Sequence, residues 1–304
     1  MPDKRHTIGT DPEFFLIERE TGKLKSAIPY INGTKYKPAP LPNGGTIQRD
    51  NVAVEFATPP AVDGEDFVKK VSNAFKDLME QIPEGHDLVA IASADFDPDQ
   101  LDHEEAQMFG CDPDYDVWTM DENVAPYAPD STFRSCGAHI HVGHVEGDDN
   151  DFLLEFEGKF AAVKMMDLVH GVISTVLDSS PESIARRKLY GKAGCHRPTD
   201  YGVEYRVLSN FWMKSPDLVM LMDSLTGDVL KVIRDNGHEG LIEMVGAELI
   251  VSTINRGNVD IAREIIDAHI MPILSETSRD LLAMCMTKIN DYNFKEEWDM
   301  GVTP

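Results

Sequence analysis

The chain has 304 residues, 42% of them hydrophobic and 27% charged, a globular mixture long enough for one large domain or two modest ones. Its net charge of −25 opposes nucleic-acid backbones and anionic membranes, which excludes a direct nucleic-acid grip or a membrane partner as the expected function. The polar first residues, the absence of a long uncharged apolar run and four widely spaced cysteines (Cys111, Cys136, Cys195 and Cys285) predict a cytoplasmic protein with free thiols.

The first strand-like run covers 8–17 and contains Gly9-Thr10-Asp11-Pro12-Glu13-Phe14-Phe15-Leu16. Side chains alternate along a strand, so Asp11 and Glu13 share a face. Two carboxylates about 7 Å apart on one face repel unless a cation or solvent separates them. An exposed edge strand, which Pro12 would permit, explains the pair equally well. A turn-rich stretch over 29–45 leads to a second run, 46–56, in which Asn51, Ala53 and Glu55 face away from Val52, Val54 and Phe56. A solvated Glu55 would account for that pattern too. A helix is predicted over 63–81 and a short strand over 88–94.

The stretch 95–135 is crowded with turn residues. Its 95–130 portion, which carries Tyr115, Trp118 and Tyr127, is too long for a plain connector. It reads either as a lid or acceptor-binding element or as a loop packed by its own aromatics. Next comes the sharpest run, 138–145, within Cys136-Gly137-Ala138-His139-Ile140-His141-Val142-Gly143. His139 and His141 point to one side between small residues, well placed for a shared ligand, although two partly buried structural histidines are the plainer alternative. Arg134 and His144 add positive charge nearby.

A helix over 152–177 precedes the most basic stretch of this acidic chain: Arg186, Arg187, Lys188, Lys192 and then Arg197. Such a cluster suits phosphate or carboxylate groups; a solvated helix end is its bland reading. The last strand run, 203–211, sets Glu204 and Arg206 opposite Val203, Tyr205 and Val207, either as site residues or as a wet ion pair. Helices follow over 216–235, 259–274 and 276–290, the last capped by Ser275. Strands before about residue 210 and helices after it predict an α+β fold with a mostly antiparallel sheet and helices on its outer side. No domain boundary is visible, so 1–304 reads as one catalytic unit, with a sheet-containing core over 1–212 and a helical part over 213–304.

Hard oxygen donors with one or two imidazoles suit magnesium or manganese better than zinc. A polyphosphate ligand on so acidic a chain also calls for metal ions or local arginines. A zinc hydrolase built from His139, His141, Cys136, Cys195 and His196 would lack compact ligand spacing.

The order Asp-Pro-Glu-Phe-Phe, Asn-x-x-x-Glu, Gly-Ala-His-Ile-His and Glu-Tyr-Arg resembles the glutamine synthetase and glutamate–cysteine ligase superfamily. Within it the chain is most similar to the phage-type carboxylate–amine ligases (COOH–NH2 ligase type 2, amidoligases). That resemblance covers residue 9 to about 212. It implies a curved antiparallel half-barrel lined by metal ligands, with ATP entering from one end and two or more Mg2+ or Mn2+ ions bound. By the same resemblance Asp11, Glu13, Glu55, His139 and Glu204 are the metal ligands and His141 lies near the nucleotide phosphates. Arg206 stands beside substrate or phosphate, and Arg186, Arg187, Lys192 and Arg197 fall in the phosphate-handling region.

Asp11 is shorter than the glutamate usual in glutamine synthetase, and no ammonia-site loop is recognisable, so glutamine synthesis itself is not expected. The implied reaction is ATP-dependent amide formation through an acyl-phosphate, from small-molecule or peptide acids and amines. Asp50 and Asp116 are candidate bases, and oligomerisation is left open. A phosphotransferase on the same sheet is the nearest alternative; the zinc hydrolase and a non-catalytic binding protein are the others.

Overall fold

Proline has no amide hydrogen to give to a sheet ladder. In the computed structural model, which describes residues 6–107, 114–124, 132–147 and 149–300, the first predicted strand breaks at Asp11-Pro12. It becomes β1 (Thr7–Thr10) and β2 (Glu13–Glu18). Two-residue strands β3 (Leu24–Lys25) and β4 (Ala39–Pro40) follow. The predicted single strand over 46–56 is instead a hairpin of β5 (Thr46–Asp50) and β6 (Ala53–Ala57). Its turn is made by Asn51 at φ 54°, a left-handed conformation that asparagine tolerates better than most residues, so Asn51 leaves the shared face.

The predicted 88–94 strand divides into β7 (His86–Val89) and β8 (Ser93–Asp95). Within the turn-rich stretch lie β9 (Tyr115–Asp116) and β10 (Phe133–Ser135). The histidine strand is β11 (Ile140–Gly143). An unanticipated strand, β12 (Cys195–Thr199), pairs antiparallel with β13 (Gly202–Tyr205), where the predicted 203–211 run begins. That run ends early, and 210–214 turns into a 3-10 helix.

One antiparallel sheet runs β9-β12-β13-β11-β1. A second runs β3-β2-β6-β5-β4. Backbone bonds join them, because β1 and β2 continue one another. Ile8 and Ala61 exchange amide bonds at 3.0 and 2.7 Å, the Thr58 amide donates to the Thr10 carbonyl, and the Glu13 amide donates to the Gly137 carbonyl. The result is a curled antiparallel half-barrel, in which β1–β2 lie between β11 and the β6 segment.

Helices cover the apolar side. Gly64–Met79 starts where the Asp63 side chain accepts the Asp66 amide, and Pro216–Arg234 and Glu276–Lys288 are capped by Ser215 and Ser275. The predicted 152–177 helix is realised as Phe156–Met166, a π-helical turn Asp167–Gly171, and Val172–Leu177. By length and composition it could cross a membrane, but 89% of its apolar window is buried inside the protein, as in a core helix. Helices His238–Val245 and Ala247–Arg256 fill a region for which the sequence predicted no element.

Phe14, Val54, Phe56, Ile140, Val203 and Tyr205 are all fully buried on the helical side. Phe14 stacks on Phe56 and on Phe294 of the C-terminal part, at 5.9 and 5.6 Å between ring centres. The helical tail is thus a second layer over the sheet. Trp212 donates through Nε1 to the Ala138 carbonyl and ties that layer to the start of β11.

Candidate active site

Alternation along β2, β6, β11 and β13 sends Phe14, Val54, Ile140 and Tyr205 toward the helices and the residues between them to the concave side. Two sets of ligand-type side chains meet there. Asp11, His141 and Glu204 bring one ligand atom each within 4.8 Å of one another, as do Glu13, Asp50 and Glu55. Asp11 Oδ1 lies 3.0 Å from His139 Nδ1 and 3.3 Å from His141 Nε2, yet has no well-directed hydrogen bond. Cross-strand pairing sets Glu204 beside His141 on one flank and Arg197 on the other. Glu204 accepts from Arg197 Nη1 at 3.0 Å, contacts Arg206, and lies 3.4 Å from His139 Nδ1. His141 Nδ1 is hydrogen-bonded to the Tyr201 hydroxyl.

In the second set Glu13 Oε2 accepts the Gly137 amide at 2.7 Å, and Glu55 Oε2 accepts Gln48 Nε2 at 2.8 Å. A pocket opens over this set, lined by Glu13, Asp50, Asp114, His139, Arg186 and Arg206 among others. Arg186 is buried, donates to the Val207 carbonyl at 2.9 Å, and leaves Nε without a hydrogen-bond partner. Arg206 Nε lies 3.3 Å from Asp114 Oδ2. Arg134 also lines the pocket but is spent on Asn51 Oδ1 and the carbonyls of Phe133 and Ala106.

The electrostatics separate the two sets. Burial, reinforced by Asp50, pushes the Glu13 carboxyl up from its ordinary 4.5 to about 8. Burial also raises Asp50, and it raises Glu55 well above the usual range with Asp11, Asp50 and Glu13 adding to the rise. Asp11 behaves oppositely: burial would raise it, but His139 and His141 hold it well below the usual value. His139 is lowered by burial and by Arg206, so its imidazole is neutral at neutral pH. His141 is raised, because Asp11 outweighs its burial.

Three half-buried acids that resist ionisation, and an orphaned Asp11 oxygen beside imidazole nitrogens, form donor sets that suit a hard divalent cation. A pH dependence follows. A carboxyl raised on folding contributes stability fully below its ordinary value and loses it as pH rises through the folded value. For Glu13 that window runs from about 4.5 to about 8. We expect the chelator-treated protein to melt several degrees lower at pH 9 than at pH 6. Mg2+ or Mn2+ should restore most of the loss by taking the place of the proton. A melting temperature that rises across this range, or that ignores both ions, would remove the cation reading. Differential scanning calorimetry measures it.

Of the residues predicted for the site, Asp11, Glu13, Glu55, His139, His141, Arg186, Arg197, Glu204 and Arg206 are brought together. Arg187 is not. It is buried on the helical side, with Nη1 against Gly257 and its charge facing Asp178 and Tyr205. Lys192 is exposed and does not line the pocket.

Asp50, named from sequence only as a candidate base, is part of the second acidic set. Asp116, the other candidate base, accepts the Trp118 amide at the sheet edge. Trp118 does not cover the pocket; it packs inward on Asp167. Tyr127 and Cys111 lie outside the described residues. The zinc set does not assemble. Cys136 is buried with Phe15 and Phe96, and Cys195 faces Asn123 with its thiol pushed up to about 12 by burial. His196 is bonded to the Gly194 carbonyl, and no cation-type cluster among the described residues contains a cysteine.

Asp114 was missed, because only its contact with Arg206 across the sheet gives it meaning. Gln48 and Asp50 had a legible signal in the Asp50-Asn51 turn, which folds β5 back beside β6.

No protein-family model matches the chain, and no curated protein matches it. Among solved structures it is similar to a bifunctional glutathione synthetase from Pasteurella multocida, with 10% identity and a TM-score of 0.43 over 96% of this chain and 53% of that one. It is also similar to a novel glutamine synthase homolog, with 12% identity and a TM-score of 0.36 over 94% of this chain and 70% of that one. The chain spans about half the length of the first.

Proposed function

We propose that the protein is an ATP- and Mg2+-dependent (or Mn2+-dependent) carboxylate–amine ligase, of the phage-type amidoligase kind, that forms an amide through an acyl-phosphate. The observation that carries this reading is that Glu13 and Asp50 of the second ligand set line one pocket together with His139, Arg186 and Arg206, while Asp11 and Glu204 of the first set adjoin it through His139 and Arg206, all in a very acidic protein. The resemblance of the strand motifs to that family supports it.

The substrate carboxylate attacks the γ-phosphorus of ATP, ADP leaves, and the amine then displaces phosphate from the acyl carbon. Arg206 and Arg186 offer buried N–H donors to the charge that develops on the phosphoryl oxygens. Glu204, held by Arg197, keeps Arg206 oriented. Neutral His139 keeps a lone pair available as a ligand. Divalent ions held by Asp11, His141 and Glu204 and by Glu13, Asp50 and Glu55 would neutralise phosphate charge and screen the acidic field. The substrates proposed for the protein are small-molecule or peptide acids and amines.

The test is product analysis with ATP, Mg2+ and pooled acids and amines. We expect ADP and phosphate to appear together with a product lighter than acid plus amine by one water, and only when both are present. A phosphorylated product formed without amine would establish the phosphotransferase instead. ATP binding without phosphate release would leave a binding protein.

A further inference from the structure

Behind the β9-β12-β13 edge of the sheet, a buried carboxylate gathers donors from two site-bearing segments. Asp167 is fully buried on the π-helical turn of the long central helix. Its Oδ1 accepts the Tyr205 hydroxyl at 2.8 Å and its Oδ2 accepts Trp118 Nε1 at 2.6 Å, with the Gly194 amide as a further donor. Burial pushes its carboxyl up to about 7.

A carboxyl in such a place is costly, and an apolar residue of similar size often serves stability as well. The turn that carries it is also a local departure from α-helix of a kind frequent at functional sites. Gly171 on the same turn admits the Tyr205 hydroxyl; a Cβ there would lie 3.0 Å from that oxygen and 2.7 Å from Ile254 Cδ1.

Both partners of Asp167 belong to backbone that carries pocket residues on its other side. Tyr205 stands between Glu204 and Arg206. Trp118 follows β9, which begins directly after Asp114, and Asp114 meets Arg206 at 3.3 Å. The 114–118 segment is therefore pinned twice, to Arg206 in front and to Asp167 behind.

We infer that Asp167 is a positioning residue: by holding Tyr205 and Trp118 from behind the sheet, it sets Arg206 and Asp114 in place at the pocket. This rests on the ligase reading for its catalytic consequence, because a displacement of about 1 Å at a reacting group can cost about a hundredfold in rate.

The test compares Asp167→Asn, Trp118→Phe, Tyr205→Phe and the Asp167→Asn/Trp118→Phe double variant. Asp167→Asn should lower kcat for phosphate release about 10- to 100-fold, with KM for ATP within about twofold and little change in melting temperature. The double variant should lose little beyond Asp167→Asn alone, since both act through one contact. Amide hydrogen exchange over 114–118 should quicken in Asp167→Asn.

Wild-type kcat together with unchanged exchange would overturn the inference. A loss of rate that only follows a loss of folded protein would overturn it too. If Asp167→Asn does not fold, Trp118→Phe and Tyr205→Phe, which keep the carboxylate and an aromatic ring at each position, decide in its place: wild-type kcat in both sinks it. The exchange measurement needs no turnover. A wild-type protein without ATPase activity would refute the ligase reading, while exchange over 114–118 still decides the role of Asp167.

Discussion

Glu204→Gln should lower ATP turnover on the order of a thousandfold, the scale seen when a preorganised charge-stabilising group is lost. Glu204 is 3% exposed and faces Arg197, Arg206 and His139 at once, besides belonging to the first ligand set. Glutamine preserves the shape but removes the charge that orients both guanidiniums and would serve a cation. Glu13→Ala should produce a loss of the same order through the second set, where Glu13 accepts the Gly137 amide. Breaking a buried charged pair can itself cost about 3–5 kcal/mol. Each variant therefore needs its near-ultraviolet dichroism and melting curve beside its rate. Turnover at the wild-type level in folded Glu204→Gln and Glu13→Ala would end the proposal that these sets act on ATP.

Gly191→Ala, a change on the pocket wall, should both destabilise the fold and impair the site. Gly191 sits at φ 68°, where an L side chain costs about 1–2 kcal/mol. An added Cβ would fall 1.9 Å from Arg186 Nη1 and 2.6 Å from the Val207 carbonyl. Overpacking of that kind adds about 1–3 kcal/mol, so the melting point should drop roughly 5–10 °C. The same Cβ strikes the Arg186 hydrogen bond to Val207, so turnover in the surviving folded protein should fall at least about tenfold. A folded Gly191→Ala protein with full turnover would show that Arg186 has no part in the reaction.

Much of this was legible in the residue order. The α+β division, the antiparallel sheet, the helix starts at Asp63 and Ser275 and the polar faces of the strands all follow from local patterns. Those patterns act over a few residues: alternation along a strand, a side-chain oxygen meeting an orphan amide, a proline that cannot donate. Glu13, Glu55, His139 and Glu204 could be assigned to polar faces in this way, without knowing which strands are neighbours.

The neighbours were decided by the tertiary structure. Asp50 joined Glu13 and Glu55 only because Asn51 turned a presumed strand back on itself. Asp114 gained its place through Arg206, 92 residues away. Arg186 and Arg187 show the limit most plainly. Consecutive residues at a helix end are rotated by about 100° around its axis. One step therefore sends Arg186 to the pocket and Arg187 to the helices behind the sheet. Composition marks both as cations; only the packing of that helix end against β8 and the chain just after β13 selects which one meets the site.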